Sequence, residues 1–249
     1  MLDTHPDLGL ARPLPPPALS GEFEVHLTVE PGAVDALAEW AAANGLTYTH
    51  ILLARGGAVS QPMLNLRASG TLDEVAAAAA RTARRLTDAG FAVLRAKVEA
   101  TPWADGVPAT DGEAARHGPR RYFEHHVKLL LAPGEDTVRL AALAVRHGAH
   151  LSRNARRARA DGRREQFVTQ RCRLVGLTTA GRRLDALLGE LAVDGREVVS
   201  VEREFVAVDS DEALDRGWIT EGRCTEDGGT EGQAAGRRFA PRHVEGAAG

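Results

Sequence analysis

Two histidines stand at matching places in two similar stretches of this chain. Phe23-Glu24-Val25-His26-Leu27-Thr28-Val29 aligns with Phe123-Glu124-His125-His126-Val127-Lys128-Leu129 at an offset of 100 residues. An imidazole titrates near neutrality, so two of them reaching one ligand can serve as acid and base, or as two nitrogen ligands of a metal. Thr28 and Lys128 follow two residues later, a hydroxyl and a cation suited to holding nonbridging phosphate oxygens.

Such a pair needs elements to position it, and the internal repeat supplies them. Pro31-Gly32 matches Pro133-Gly134, Asn44-Gly45 matches His147-Gly148, Gln61 matches Gln166, and Ala89-Gly90 matches Asp194-Gly195. Pro31 and Pro133 suit the first turn of a helix, where no N–H donor is needed. Gly45 and Gly148 suit its end, where a left-handed residue closes the last turn. Thr71-Leu72-Asp73-Glu74 is a capping box for a longer helix.

The first half is therefore expected to run strand 22–29, helix 32–44, strand 47–54, strand 61–68, helix 71–88, strand 91–100. The second half is expected to run strand 122–131, helix 134–147, strand 149–155, strand 165–174, helix 178–193, strand 197–208. That order predicts an α+β protein of tandem duplicated ferredoxin-like (βαββαβ) modules, with antiparallel sheets carrying helices on one face. Residues 1–20 read as a flexible leader, 21–100 as module 1, 101–121 as a Pro-containing linker and 122–209 as module 2. Residues 210–249 read as a short docking segment, with Trp218 at its centre, followed by a disordered tail.

Strand alternation decides which side chains share the open faces. Phe23, Val25, Leu27 and Val29 turn toward the helices, which leaves Glu24, His26 and Thr28 on the other side. Arg95, Lys97 and Glu99 share that side in the last strand of the module. In the second half the same phase exposes Glu124, His126, Lys128, Glu202 and Glu204, while His125 points toward the helices. The first strand is expected to neighbour the third rather than the last, which sets Asn65 and Arg67 beside His26. Gln170, or Arg171 in another register, is their counterpart beside His126. The ordinary account of such faces is solvation, since alternation demands one polar face; a histidine at the equivalent place in both halves goes beyond it. Two faces turned toward each other would form one groove.

His26-Leu27-Thr28-Val29 resembles the His-x-Thr-x signature of the two-histidine phosphoesterases, a family that is also bilobal with one motif per lobe. The second copy, His126-Val127-Lys128-Leu129, departs from the family in carrying Lys where Ser or Thr is expected. The resemblance covers two short strands and implies a phosphodiesterase whose acid and base are His26 and His126. Thr28 and Lys128 would then hold phosphate, with Asn65, Arg67, Lys97, Arg153, Gln170 and Arg171 as further substrate contacts. The implied substrate is a nucleotide or RNA phosphodiester, and no cofactor is expected.

Two other readings use the same residues. His26, Glu99, His126 and Glu204 form a candidate metal site of two imidazoles and two carboxylates. Alternatively the open sheets bind RNA or another ligand without catalysis, although RNA-recognition sheets stack bases on aromatics and none of Glu24, His26, Thr28, Asn65 or Arg67 is aromatic. Arg153, Arg156, Arg157, Arg159, Arg163 and Arg164 make the densest basic stretch, readable as a solvated hairpin or a phosphate-contacting loop.

Composition narrows the setting. A formal net charge of −3 excludes a general field toward nucleic acid or acidic lipid. Cys172 and Cys224 form no CxxC pair, which points to a reducing compartment and away from a cysteine metal site. No stretch approaches the roughly 20 apolar residues that span a bilayer, so no membrane partner and a cytoplasmic location are expected. The abundance of Ala, Arg and Gly has the look of GC-rich bacterial coding. The expected partner is a small-molecule or nucleotide phosphate ester, with RNA as a second candidate.

Overall fold

The computed structural model describes residues 16–155 and 161–219. Most of the expected leader, Arg156, Arg157 and Arg159 of the basic stretch, Cys224 and the expected tail lie outside the described residues. The first half carries β1 (Ser20–Val29), α1 (Val34–Ala43), β2 (Thr47–Leu53), β3 (Ser60–Thr71), α2 (Leu72–Asp88) and β4 (Val93–Ala100). A short α3 (Asp111–His117) precedes β5 (Tyr122–Leu131), α4 (Val138–Arg146), β6 (Ala149–Asn154), β7 (Arg164–Arg173), α5 (Leu177–Val193) and β8 (Glu197–Asp209). A 3-10 turn, Glu212–Asp215, follows.

The local physics is mostly that expected. Thr71 caps α2, its hydroxyl accepting from Glu74 N while the Glu74 carboxylate accepts from Thr71 N. The same box recurs at Thr110 and Glu113, which starts α3 inside the segment expected to be a plain linker. Helices α1 and α4 begin later than their prolines suggest. Pro133 and Gly134 form a turn in which Gly134 has φ of 72°, a conformation no helix start accommodates.

The sheet departs from expectation more deeply. Instead of two sheets facing each other across a groove, all eight strands join one closed antiparallel barrel in the order β1-β3-β2-β6-β7-β5-β8-β4. The strands at the edges of each half would otherwise present unpaired N–H and C=O groups. They pair with each other instead: β2 with β6 through Ile51–Asn154 and Leu53–Ser152, and β4 with β8 through Lys97–Asp209 and Ala100–Phe205.

A second correction concerns neighbours. β1 pairs with β4 as well as with β3, which sets Lys97 opposite His26 and Glu99 opposite Glu24. The crossover through α2 carries the chain past β1 and lays β4 on its far side.

The helices cover the outside of the barrel. Phe23, Val25, Leu27 and Val29 pack in one core with Leu37 and Ala41 of α1 and with Val75, Ala79 and Leu86 of α2. Phe123, Cys172, Ala180 and Phe205 join that core from the second half, and the Phe123 and Phe205 ring centroids lie 4.9 Å apart. A second core gathers Val127, Leu129 and Leu131 with Leu140 and Leu143 of α4 and Leu184, Leu187 and Leu191 of α5. Because most apolar strand positions are used outside, the alternate, mostly polar positions face inward, where Ile51, Leu53 and Phe167 join them.

Candidate active site

The barrel interior is a cavity of about 1010 Å³. His26, Thr28, Asn65, Arg67, Lys97, Glu99, His126, Lys128 and Glu204, all expected at the site, line it. Among the described residues the segment after β8 closes one end. Asp215 is buried there and accepts from Gln61 at 3.3 Å, from Arg95 at 3.1 Å and from Arg171 at 2.9 Å. Trp218 donates its indole N–H to the Leu151 carbonyl at 2.9 Å. Exposed Arg67 and Trp103 belong to the lining remote from that plug.

Inside, one chain of polar contacts links both halves. Asn65 donates to Thr49 at 2.8 Å and accepts from His26 Nδ1 at 3.0 Å. That fixes the ring so that Nε2 points at Glu99, 2.7 Å away. Lys97 Nζ lies 2.5 Å from both Glu99 Oε1 and Glu124 Oε1. Glu124 also accepts from Arg171 at 2.9 Å. His126 Nδ1 contacts Thr169 Oγ1 at 3.0 Å, and its Nε2 lies 3.3 Å from Glu204 and 3.4 Å from Glu124. The two imidazoles therefore approach a shared carboxylate cluster, one from each half of the chain. His26, Glu99 and Glu204 each offer one ligand atom within 4.8 Å of the others, and so do Glu99, Glu124 and His126.

Electrostatics follow from this crowding. Burial opposes charge on His26, but Glu99 outweighs it and lifts the imidazole to about 9. His126 rises to about 9 as well, with burial overcome by the hydrogen bond and charge of Glu204. Burial would raise Glu99, yet Lys97 and His26 hold it well below the carboxylate range. Glu204 moves the other way, to about 6, because burial is reinforced by repulsion from Glu99. Deeper still, Arg95 pairs with Asp209 and Asp215, and Tyr122 donates to Asp209 at 3.0 Å.

Several expected residues sit elsewhere. Gln170 pairs with His125 rather than His126, and its amide reaches the His147 carbonyl at 3.0 Å and the Arg183 carbonyl at 3.3 Å outside the barrel. The register puts Thr169 opposite His126 instead. Arg171 turns inward but is consumed beneath the cavity, stacked on Tyr122 at 4.5 Å and bonded to Glu124 and Asp215. Arg153 is exposed on the outer side of β6, while its neighbours Ser152 and Asn154 line the cavity. His125 is fully buried on the helix side, where its Nδ1 meets Gln170 at 3.1 Å.

Glu124, Arg95 and Asp215 were not among the expected site residues. Alternation already set Glu124 and Arg95 on the right face, so only their partners were missing. Asp215 comes from a 3-10 turn after the last strand, where no periodic signal exists.

No family model matches the chain, and no curated protein matches it. Among solved structures, the acetolactate synthase small subunit from Thermotoga maritima is similar at 15% identity and a TM-score of 0.27, over 76% of this chain and 95% of that one. No helix among the described residues is long and apolar enough to cross a membrane.

Proposed function

We propose that the protein is a divalent-metal-dependent enzyme that cleaves phosphate esters or anhydrides inside the barrel, and that the barrel is a duplicated ferredoxin-like module, 21–100 and 122–209. The observation that carries the reading is the pair of overlapping ligand groups, His26-Glu99-Glu204 and Glu99-Glu124-His126, each gathered within 4.8 Å. Mixed imidazole and carboxylate donors suit a transition ion such as Mn²⁺, Fe²⁺ or Zn²⁺ better than Mg²⁺, with open positions for substrate oxygens. A bound divalent ion would polarise the phosphoryl group and neutralise the carboxylates. Lys97 and Lys128, which line the same cavity, would hold nonbridging oxygens. Water would attack phosphorus as the P–O bond to the leaving group breaks, with a proton passing to that group.

The two-histidine acid/base reading competes for the same residues, and the placement of both rings on one cavity favours it. Against it stands protonation, since two imidazoles held near 9 leave no free base at neutral pH. The test is hydrolysis of bis(p-nitrophenyl) phosphate, p-nitrophenyl phosphate and tripolyphosphate, with Mn²⁺, with Mg²⁺ and with EDTA. Metal-dependent turnover that is lost in His26→Ala and His126→Ala supports the proposal. Turnover undiminished by EDTA favours the two-histidine mechanism, and no turnover together with no Mn²⁺ binding by calorimetry removes both.

A further inference from the structure

We propose that Trp103 is a stacking platform at the mouth of the barrel for the planar base of a nucleoside phosphate, so that the ligand lies with its phosphates inward and its base on the rim. The inference rests on the phosphate reading above and narrows its substrate class.

Trp103 is 77% exposed, between buried Pro102 and Ala104. The other two tryptophans are satisfied within the fold: Trp40 meets Phe91 edge-on at 6.3 Å, and Trp218 is buried. Exposure of Trp103 is not the result of a loose loop. Ser20 and Asp105 exchange backbone hydrogen bonds of 3.1 and 2.8 Å, and Ala104 N donates to the Thr101 carbonyl at 3.1 Å. The backbone is so close that a Cβ at Gly21, where φ is 144°, would lie 2.9 Å from the Ala104 Cβ. A rigid turn thus presents a large ring to water, at the edge of the main cavity.

The surroundings say what the ring would meet. Trp103 lines both the barrel cavity and a smaller cleft of about 310 Å³ formed with Ser20, Glu22, Thr101 and Asp105. The carboxylates of Glu22 and Asp105 repel phosphate and accept hydrogen bonds from amino and hydroxyl groups. Deeper in the cavity, buried Lys97 attracts phosphate. This gradient orients a ligand that is anionic at one end and carries N–H and O–H donors on a ring system at the other. Base stacking on an aromatic is worth roughly 1–3 kcal/mol by alanine substitution, which is about 5- to 150-fold in affinity.

The experiment compares ATP with inorganic tripolyphosphate, both with Mn²⁺, on wild type, Trp103→Ala and Trp103→Phe. The expected result is a 5- to 150-fold weaker ATP affinity in Trp103→Ala, an intermediate value in Trp103→Phe, and tripolyphosphate binding unchanged within twofold. ATP affinity within twofold of wild type, or equal losses for both ligands, overturns the platform while leaving the phosphate reading intact. Wild-type protein that binds neither ligand overturns both. Because Trp103 is exposed, an unchanged melting temperature shows that the variants are folded.

Discussion

His26 and Glu99, 73 positions apart on the adjacent strands β1 and β4, meet at 2.7 Å inside the barrel. The carboxylate is almost wholly buried and is shared with Lys97 at 2.5 Å. Glu99 is also the residue common to both candidate ligand groups, so it is where the proposed chemistry is most exposed to test.

Replacement of Glu99 by Gln keeps the shape and removes the charge. Mn²⁺ affinity is expected to fall at least tenfold by calorimetry, because a ligand is lost from both groups at once. In the metal-free variant His26 loses its principal charge partner, and its pKa should drop from about 9 toward or below the ordinary value. Histidine titration by NMR would read that shift, and an unaltered His26 curve would contradict the assignment.

Metal binding should tighten with pH. His26 and His126 are held near 9 without metal, so an incoming cation displaces a proton from each ring it ligates. Affinity is expected to climb between pH 6 and 9, by about tenfold per pH unit for each proton released, and to level off above 9. Calorimetry in buffers of different ionisation enthalpy counts the protons; no release at pH 7 would show that neither imidazole is a ligand.

Asp215 is the lock of the closed end. In Asp215→Asn, buried Arg95 and Arg171 each lose an anionic partner, and breaking a buried pair costs about 3–5 kcal/mol. At roughly 2–4 °C per kcal/mol for a chain of this size, the melting temperature should fall by on the order of 10 °C. A change of less than two degrees would mean that the 209–219 segment is not held by this contact.

Acid should destabilise the fold from outside the cavity. Burial depresses His125 to about 4, and burial with the Arg55 charge does the same to His150. Both rings stay neutral in the fold while the unfolded chain takes up protons below about 6.5. The contribution of these two rings is therefore constant above 6.5 and is lost as pH falls from 6.5 toward 4. Thermal melts across that range should show the decline, and it should be shallower in His125→Asn; equal slopes in both proteins would count against the buried neutral His125.

Much of this arrangement was legible in the residues. The repeated Phe23/Phe123 strands, the Thr71 capping box and the period-two pattern of β1, β4 and β5 determined where the elements lie and which side of each strand is polar. Those signals are local, because backbone periodicity and capping act over a few residues. His26, Glu99, His126 and Glu204 could accordingly be assigned to one kind of face from sequence alone.

Only the tertiary structure decided that the polar faces form the inside of one barrel. Edge pairing of β2 with β6 and of β4 with β8 depends on strand ends about 100 residues apart finding each other, and no local pattern encodes it. The same is true of the one-residue register that put Thr169 opposite His126 and sent Gln170 outside. Asp215 and Trp103 come from aperiodic segments, whose direction is set by what they pack against rather than by their own sequence.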